Sequence, residues 1–311
     1  MEKRPEDDFR IWRDGTLVRW RDATIHVMSH VVHYGSGVFE GVRAYDTPRG
    51  PAIFRLRDHM RRLLDSCRIY RMPIKYTVDD LSKACVDTVA ANPFRAAYLR
   101  PIVIRGGESF GVVATNPPIE TFIIARPAGA YLGEDGFVNG VDVCVSSWRR
   151  SAPDTFPALA KASGNYLSGQ LAKMEAQQNG YVEGIMLDSF GFVSEGSGEN
   201  IFLVRDGMLF TTPLSSAILH GITRDSIMKL AKDKGLEAQV DTLPREALYT
   251  ADEMFFTGTA AEVTPIRSVD GIPVGSGKPG PITKSLQAEF MGIVQGRIED
   301  RHRWLTHVPA L

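Results

Sequence analysis

Lys161 is the residue whose surroundings point most directly to chemistry. It lies among alanines, a leucine and a glycine in residues 156–166. An apolar setting removes hydration from an ammonium group and so favours the neutral amine. A neutral amine attacks an aldehyde to form a Schiff base. Because most lysines are solvated surface groups, this segment alone favours an ordinary surface lysine.

A glycine-rich acidic segment, residues 193–200, changes that balance because it contains Glu195. A glutamate held against a pyridine nitrogen keeps the nitrogen protonated, which lets the ring accept electrons from a developing carbanion. The alternative is a glutamate in a polar turn. Residues 195–199 lack the G-x-G-x-x-G pattern, so they do not predict a dinucleotide site.

Two further segments could bind phosphate. Residues 219–225 open a predicted helix, where backbone amides and the helix dipole attract anions and Thr223 adds a hydroxyl. Thr223 fits a simple N-cap equally well. Residues 256–262 offer more hydroxyls after a predicted strand, and the Arg62 guanidinium matches phosphate geometry.

Other patterns carry no chemistry. Gly275-Ser276-Gly277-Lys278 lacks the spacer and the hydroxyl residue of a phosphate-binding P-loop, so we expect a surface loop. His30 and His33 have no partner at metal-ligand spacing, which predicts packing or a local hydrogen bond and no metal site.

The elements that must position these residues are strands and helices in mixed order. Tight hairpins are predicted at three Asp-Gly pairs, Asp14-Gly15, Asp206-Gly207 and Asp270-Gly271. Helical spacing of apolar residues predicts helices over 58–70, 163–178, 223–234 and 281–294. In the first, Met60, Leu63, Leu64 and Cys67 form the apolar face and Arg62 lies off it; in the second, Leu167, Leu171 and Met174 form the stripe.

Without a regular βαβ alternation, this order predicts an α+β (mixed α/β) fold. A length of 311 residues favours two domains. The segment 127–140, rich in helix and strand breakers, is the predicted interdomain loop. We therefore expect a small N-terminal domain over 1–126 and a larger C-terminal domain, containing Lys161, over 141–311.

Composition limits the partners. The net charge of −1 gives no electrostatic reason to expect nucleic acid or an anionic membrane surface. No apolar run approaches a membrane span, and the first residues have no signal-peptide core. Cys67, Cys85 and Cys144 are too far apart for a disulfide framework or a zinc site, so buried free thiols in a reducing cytoplasm are expected.

Together these segments resemble branched-chain amino acid aminotransferases, which are class IV aminotransferases of the fold-type-IV pyridoxal-phosphate group. The resemblance runs from Trp20 to about Phe290. It rests on seven segments in order: 33–43, 54–62, 98–101, 161–166, 194–200, 221–225 and 257–262. It implies two α/β domains with the cofactor, pyridoxal 5'-phosphate, between them.

The resemblance also assigns the cofactor contacts. It implies that Lys161 is the catalytic residue, carries the cofactor as a Schiff base and moves the α-proton. Glu195 would pair with the pyridine nitrogen, and Tyr166 would donate to the phenolic oxygen. The residues expected to hold the phosphate are Arg62, Ile222, Thr223 and Thr259.

For the substrate, the resemblance implies that Tyr98, Thr259 and Ala260 bind the α-carboxylate. Arg100 matches the arginine that binds the distal carboxylate of glutamate. The apolar walls would come from Tyr34, Phe39 and Tyr131. The expected reaction moves an amino group between L-leucine, L-isoleucine or L-valine and 2-oxoglutarate.

The family builds its sites at a dimer interface, so we expect a homodimer or a higher homo-oligomer such as a trimer of dimers. Tyr34 and the loop near Phe110 to Val113 would reach the neighbouring subunit. One position departs from the family pattern: Ala128 stands where close bacterial relatives have an aromatic residue, which predicts a larger side-chain pocket.

Three kinds of alternative stay open at this stage. The nearest share the fold: a D-amino acid aminotransferase, an (R)-amine transaminase or a pyridoxal-phosphate lyase. The triplet Tyr98-Leu99-Arg100 favours the branched-chain group. A non-catalytic pyridoxal-phosphate-binding protein and a simple anion-binding module are the alternatives from other classes.

Overall fold

The computed structural model describes residues 8–107, 111–113, 117–129 and 131–309. Within these residues the helices are α1 His30–Tyr34, α2 Leu56–Ile69, α3 Val78–Ala90, α4 Glu134–Asn139, α5 Tyr166–Gln178, α6 Ile222–Asp233, α7 Ala247–Thr250 and α8 Pro281–Val294. The strands are β1 Arg10–Arg13, β2 Thr16–Arg19, β3 Gly37–Phe39, β4 Val42–Thr47, β5 Gly50–Phe54, β6 Ala97–Arg105, β7 Ile119–Pro127, β8 Val141–Arg149, β9 Glu183–Leu187, β10 Val193–Gly196, β11 Asn200–Arg205, β12 Met208–Thr211, β13 Ala238–Val240, β14 Glu253–Gly258, β15 Glu262–Val269, β16 Ile272–Pro273 and β17 Leu305–His307.

The chain forms two compact units, each with its own sheet and helices. Unit 1 comprises the described residues of 1–128, 160–164 and 294–311, and unit 2 those of 129–159 and 165–293. This arrangement confirms the predicted α+β class. None of the helices in the described part of the chain is long and apolar enough to cross a bilayer.

The sheet of unit 1 has the strand order β17-β5-β4-β6-β7-β1-β2, and β3 pairs with β6. All of these pairs are antiparallel. Helices α2 and α3 supply buried residues such as Met60, Leu63 and Leu81 to one apolar core with strand residues such as Leu99 and Ile123.

Unit 2 contains a mixed sheet with the order β10-β9-β8-β15-β14-β11-β12-β13, and β16 pairs with β15. Strand β8 runs parallel to both β9 and β15, and β12 runs parallel to β13. Its core includes Ile185, Ile201, Phe256 and Ile266. The three predicted Asp-Gly hairpins are confirmed: Asp14, Asp206 and Asp270 and the glycines after them all have positive φ, as a type I′ turn requires.

The division into units differs from the predicted domains in one respect that matters for chemistry. The predicted C-terminal domain contains Lys161, whereas in the structure Lys161 belongs to unit 1. The reason is backbone pairing: Ala162 forms an isolated β-bridge with Val38 of β3. The C-terminal strand β17 likewise returns to unit 1, where it pairs with β5.

The packed face of one helix also differs from prediction. Helix α5 buries Gly169, Ala172 and Ala176. The predicted inner stripe of Leu167, Leu171 and Met174 is exposed by 62%, 39% and 55%. Small residues form the packed face because the helix backbone lies close to the sheet, and a Cβ on Gly169 would come within 2.4 Å of the Ser197 carbonyl oxygen.

Candidate active site

Lys161 is fixed by its backbone on both sides. Its N–H donates to Ser66 Oγ at 3.0 Å, and its carbonyl oxygen accepts from the Phe39 N–H at 2.9 Å. Its side chain lies against the Phe39 ring, with Nζ 5.0 Å from the ring centre. The lysine is half-buried. A strand residue and a helix residue therefore hold the amine beside an aromatic surface.

Arg62 belongs to a buried charged cluster beneath this segment. Its Nε and one terminal nitrogen donate to the two oxygens of Glu40 at 2.6 and 2.9 Å, and His59 Nδ1 contacts Glu40 Oε2 at 2.7 Å. The Arg62 side chain is only 12% exposed and that of Glu40 is fully buried. Arg62 lies off the apolar face of α2, as predicted, and its charge can be largely buried because Glu40 neutralises it.

The ionisation of this cluster follows from its contacts. Burial alone would raise the pKa of Glu40, but the positive charge of Arg62 and the bond from His59 outweigh it and hold the pKa well below its usual range. Burial lowers the pKa of His59 despite the nearby carboxylate. Since an ionised carboxylate only accepts, neutral His59 donates its Nδ1–H to Glu40.

Phe39 has a second cation against it. The Arg100 guanidinium carbon lies 4.6 Å from the Phe39 ring centre and 5.5 Å from that of Tyr98, and Arg100 donates to the Tyr98 hydroxyl at 3.3 Å. Gly41 makes room for this tyrosine, because a Cβ there would lie 2.0 Å from the Tyr98 hydroxyl oxygen. Unit 1 thus brings Phe39, Tyr98, Arg100 and Lys161 into one aromatic and cationic surface.

In unit 2, Glu195 of β10 is buried and surrounded by donors. Asn200 Nδ2 and the Leu219 N–H donate to its Oε2 at 3.0 and 3.1 Å. Arg150 pairs with its Oε1 at 3.0 Å and also donates to the Ala217 carbonyl oxygen. These partners all donate, so the arrangement suits an ionised carboxylate held in one orientation.

The start of α6 lies directly after this network. Gly221 is the N-cap of a 12-residue helix, and the next two residues, Ile222 and Thr223, are buried. The positive end of the helix dipole therefore lies here. Thr259 and Ala260 lie in the turn between β14 and β15, where Gly258 faces Glu262.

Position 221 requires glycine because a side chain there would contact Asn200, and not because of its backbone conformation. Its φ of −69° suits any residue, but a Cβ would lie 1.8 Å from Asn200 Oδ1. We expect Gly221→Ala to lower the free energy of unfolding by about 1–3 kcal/mol, the usual cost of overpacking. Urea unfolding measures this change. The control is Gly129→Ala, because a Cβ at Gly129 meets nothing within 4 Å. Equal stability of the two variants would contradict the close contact between Gly221 and Asn200.

Glu199 is a buried acid that holds a proton near neutral pH. Burial, with the nearby charge of Glu183, raises its pKa to about 8. The folded state therefore keeps a proton that the unfolded chain loses near pH 4.5. Wild-type stability should fall between pH 4.5 and 8 by up to about 1.4 kcal/mol per pH unit from this group.

We therefore expect Glu199→Gln to gain stability relative to wild type as the pH rises to about 8, with no further gain above it. Urea unfolding at pH 5, 6.5 and 8 measures the difference. The exposed Glu237→Gln variant is the control and should show no such slope. A constant difference between Glu199→Gln and wild type would contradict the raised pKa.

The remaining predicted site residues lie at helix ends or in loops. Tyr34 ends α1 and is 41% exposed; Tyr166 begins α5. Tyr131 is 54% exposed and lies 5.6 Å from Lys173 Nζ. Phe110, expected to reach a neighbouring subunit, lies outside the described residues, whereas Val113 of the same loop is 82% exposed.

Sequence reasoning missed the residues that hold the predicted ones: Glu40, His59, Ser66, Arg150 and Asn200. For α2 a signal existed, because positions 59, 62 and 66 share one side of a helix. For Arg150 and Asn200, the contacts to Glu195 join separate elements, which spacing does not reveal.

His30 and the loop at Lys278, to which the sequence assigned no chemistry, have the predicted local surroundings. His30 bonds to Ser36 Oγ and the Gly111 carbonyl oxygen. Lys278 is exposed in a loop. The three cysteines are buried free thiols, and burial raises the pKa of Cys67 to about 12 and that of Cys144 to about 11. Among the described residues no cluster of three metal-ligating side chains occurs.

Comparison with known proteins places these observations in a family. The model of the class IV aminotransferases matches residues 37–269. The branched-chain-amino-acid aminotransferase of Escherichia coli K12 is 52% identical over 302 residues, which cover 96% of this chain and 97% of that protein.

Solved structures agree. The crystal structure of the Escherichia coli branched-chain amino acid aminotransferase matches with a TM-score of 0.95 at 51% identity, covering 97% of this chain and 100% of that one. The branched-chain amino acid aminotransferase of Thermobaculum terrenum in its PLP-form matches with a TM-score of 0.91 at 38% identity, covering 98% and 99%. Class IV aminotransferases use pyridoxal 5'-phosphate. The chain therefore belongs to the class IV aminotransferases, among the branched-chain amino acid aminotransferases.

Proposed function

We propose that the protein transfers an amino group between L-leucine, L-isoleucine or L-valine and 2-oxoglutarate, with pyridoxal 5'-phosphate on Lys161. The observation that carries this proposal is the shared surface of unit 1: Lys161 and Arg100 both lie against the Phe39 ring, at 5.0 and 4.6 Å. An apolar ring suits a branched side chain, and a cation at its edge suits the distal carboxylate of glutamate.

The residues present fit the cofactor. The buried guanidinium of Arg62 and the N-terminus of α6 suit a phosphate. The carboxyl group of Glu195, surrounded by donors, suits a protonated ring nitrogen, and the half-buried amine of Lys161 suits an aldehyde. When bound, pyridoxal 5'-phosphate supplies a pyridinium ring that accepts electrons.

Each residue then has a defined task. With the cofactor bound, Lys161 would hold it and would move the proton of the substrate α-carbon. Glu195 would keep a proton on the ring nitrogen, and Tyr166 would donate to the phenolic oxygen. Arg62, Ile222, Thr223 and Thr259 would hold the phosphate.

Substrate binding uses a second set of residues. Tyr98 with the backbone of Thr259 and Ala260 would bind the α-carboxylate, and Arg100 the distal carboxylate of glutamate. The side chain would lie against the three aromatic residues Tyr34, Phe39 and Tyr131.

The small side chain of Ala128 should allow the substrate pocket to accept a wider range of amino acid side chains. It is partly exposed directly after β7. We expect Ala128→Trp to lower kcat/KM for phenylalanine relative to leucine by about tenfold, because the indole ring would occupy space that the larger substrate side chain needs. A tenfold change corresponds to about 1.4 kcal/mol. Steady-state kinetics with both donors measures this, and Ala128→Ser is the matched control. An unchanged preference would contradict the expectation.

The experiment that tests the function is an amino-donor panel with 2-oxoglutarate as acceptor on protein that contains the yellow cofactor. Highest kcat/KM with L-leucine, L-isoleucine and L-valine supports the proposal. Including D-leucine and an (R)-amine separates the same-fold alternatives, because activity with either one and none with L-leucine would replace it. No turnover with any donor would favour a non-catalytic cofactor-binding protein.

A homodimer is the smallest assembly that we propose, and a trimer of dimers is the larger one. The exposed apolar stripe of α5, Leu167, Leu171 and Met174, supports it because solvent-exposed apolar stripes commonly mark protein interfaces. Light scattering of wild type and Leu171→Glu after size-exclusion chromatography tests it. A monomeric wild type would overturn the proposal. The free thiols support a reducing, cytoplasmic location.

A further inference from the structure

We propose that Glu40 is a positioning residue that holds the Arg62 guanidinium in the orientation in which it binds the cofactor phosphate. This inference rests on the proposed function, in which Arg62 binds that phosphate. Glu40 has no contact with the cofactor in the proposal and acts through Arg62.

The geometry of the pair supports a fixed orientation. A guanidinium has five N–H donors in one plane, and a bidentate pair with a carboxylate fixes that plane. Arg62 donates through Nε at 2.6 Å and a terminal nitrogen at 2.9 Å, one to each oxygen of Glu40. A single bond would leave the guanidinium free to rotate, whereas two bonds do not.

His59 fixes the carboxylate in turn. Its Nδ1–H donates to Glu40 Oε2 at 2.7 Å, and the ring is fully buried. His59 and Arg62 are three residues apart on α2, so two residues of one helix face donate hydrogen bonds to Glu40. Among the described residues, His59 Nε2 has no hydrogen-bond partner, so the contact with Glu40 is the polar contact that orients this ring.

The same two elements hold Lys161. Glu40 directly follows Phe39, whose N–H donates to the Lys161 carbonyl oxygen. Ser66, one turn after Arg62, donates to the Arg62 carbonyl oxygen and accepts from the Lys161 N–H. The bonds to Lys161 come from the backbone and from Ser66, so they do not need the Glu40 carboxylate. Removal of its charge should therefore affect phosphate binding more than attachment at Lys161.

The test compares cofactor with and without phosphate. Apoprotein is titrated with pyridoxal 5'-phosphate and with pyridoxal, and the visible absorption gives a dissociation constant for each. The dissociation constant of pyridoxal divided by that of pyridoxal 5'-phosphate gives a ratio that measures the contribution of the phosphate to binding. In Glu40→Gln, an amide nitrogen must face a donor of Arg62 or His59. We expect pyridoxal 5'-phosphate to bind about tenfold more weakly or worse, and pyridoxal within about twofold of wild type.

Further variants separate the loss of the Glu40 charge from other effects on this ratio. Glu183→Gln removes another fully buried carboxylate, which pairs with Lys173 at 2.7 Å, and should leave the ratio unchanged. Arg62→Met should reduce the ratio strongly, and adding Glu40→Gln to it should change the ratio no further. If Glu40→Gln does not fold, Glu40→Asp, which keeps the charge but withdraws it by one methylene, carries the test with a smaller fall in the ratio.

The outcomes separate the two levels of the proposal. Equal weakening of both ligands, or no weakening, in Glu40→Gln while the wild type binds normally would overturn the positioning role alone. A further fall of the ratio on adding Glu40→Gln to Arg62→Met would also overturn it. A wild type that develops no visible absorption with either ligand would overturn the proposed function and this inference with it.

Discussion

Replacement of Lys161 by alanine is expected to abolish transamination and leave the fold intact. The proposal assigns this amine the attachment of the cofactor and the movement of the α-proton, and the substitution removes it. The fold should survive because Ser66 Oγ and the Phe39 N–H bond to the backbone of Lys161, which the substitution retains.

Turnover of L-leucine with 2-oxoglutarate measures the loss, and circular dichroism with thermal unfolding checks the fold. Lys284→Ala, which removes an exposed lysine of α8, is the matched control and should keep wild-type turnover. Retained transamination in Lys161→Ala would refute the catalytic assignment.

The second large effect is expected for Glu195→Gln. A neutral amide does not hold the proton on the ring nitrogen, so the ring accepts electrons less well. The amide NH₂ would also face Arg150 or Asn200, both of which donate to Glu195. We expect kcat/KM to fall by at least about 100-fold, which corresponds to about 2.7 kcal/mol of lost transition-state stabilisation.

The measurement is kcat/KM with L-leucine, together with the visible spectrum of the bound cofactor between pH 6 and 9. Glu237→Gln makes the same chemical change at an exposed position and should leave both unchanged. A fall of less than about threefold in Glu195→Gln would show that the ring nitrogen does not depend on this carboxylate.

Local chemistry explains which elements could be predicted. The Asp-Gly pairs require positive φ, which is a property of the residues themselves, and all three hairpins form. Helix α8 has the predicted bounds because Pro281 suits a first helical turn and the apolar spacing continues to Val294. Helix α3, by contrast, was not predicted, although Thr77 and Asp80 form a capping box at its start.

The features that could not be predicted from the sequence depend on tertiary contacts. The low exposure of the Arg62 side chain depends on Glu40, which lies 22 residues away in the connection between β3 and β4, so the pairing does not follow from the helical pattern of α2. The packed face of α5 consists of glycine and alanines, whereas hydropathy alone selects Leu167 and Leu171. Lys161 joins unit 1 through backbone bonds, which leave no mark on side-chain patterns.

The candidate site follows the same division. Lys161, Glu195 and Thr223 could be proposed from the sequence because an amine, a carboxylate and a helix N-terminus each suit one part of a phosphorylated pyridine. The residues that contact the proposed ones, such as Glu40 and Asn200, come from separate parts of the chain, and only the structure shows those contacts.

The attachment point of the cofactor is the central claim, and borohydride reduction tests it most directly. The purified protein with bound pyridoxal 5'-phosphate is reduced, digested and mapped by mass spectrometry. We expect loss of the visible absorption and a phosphopyridoxyl group on the peptide that contains Lys161. A label on any other lysine, or no label, would contradict it.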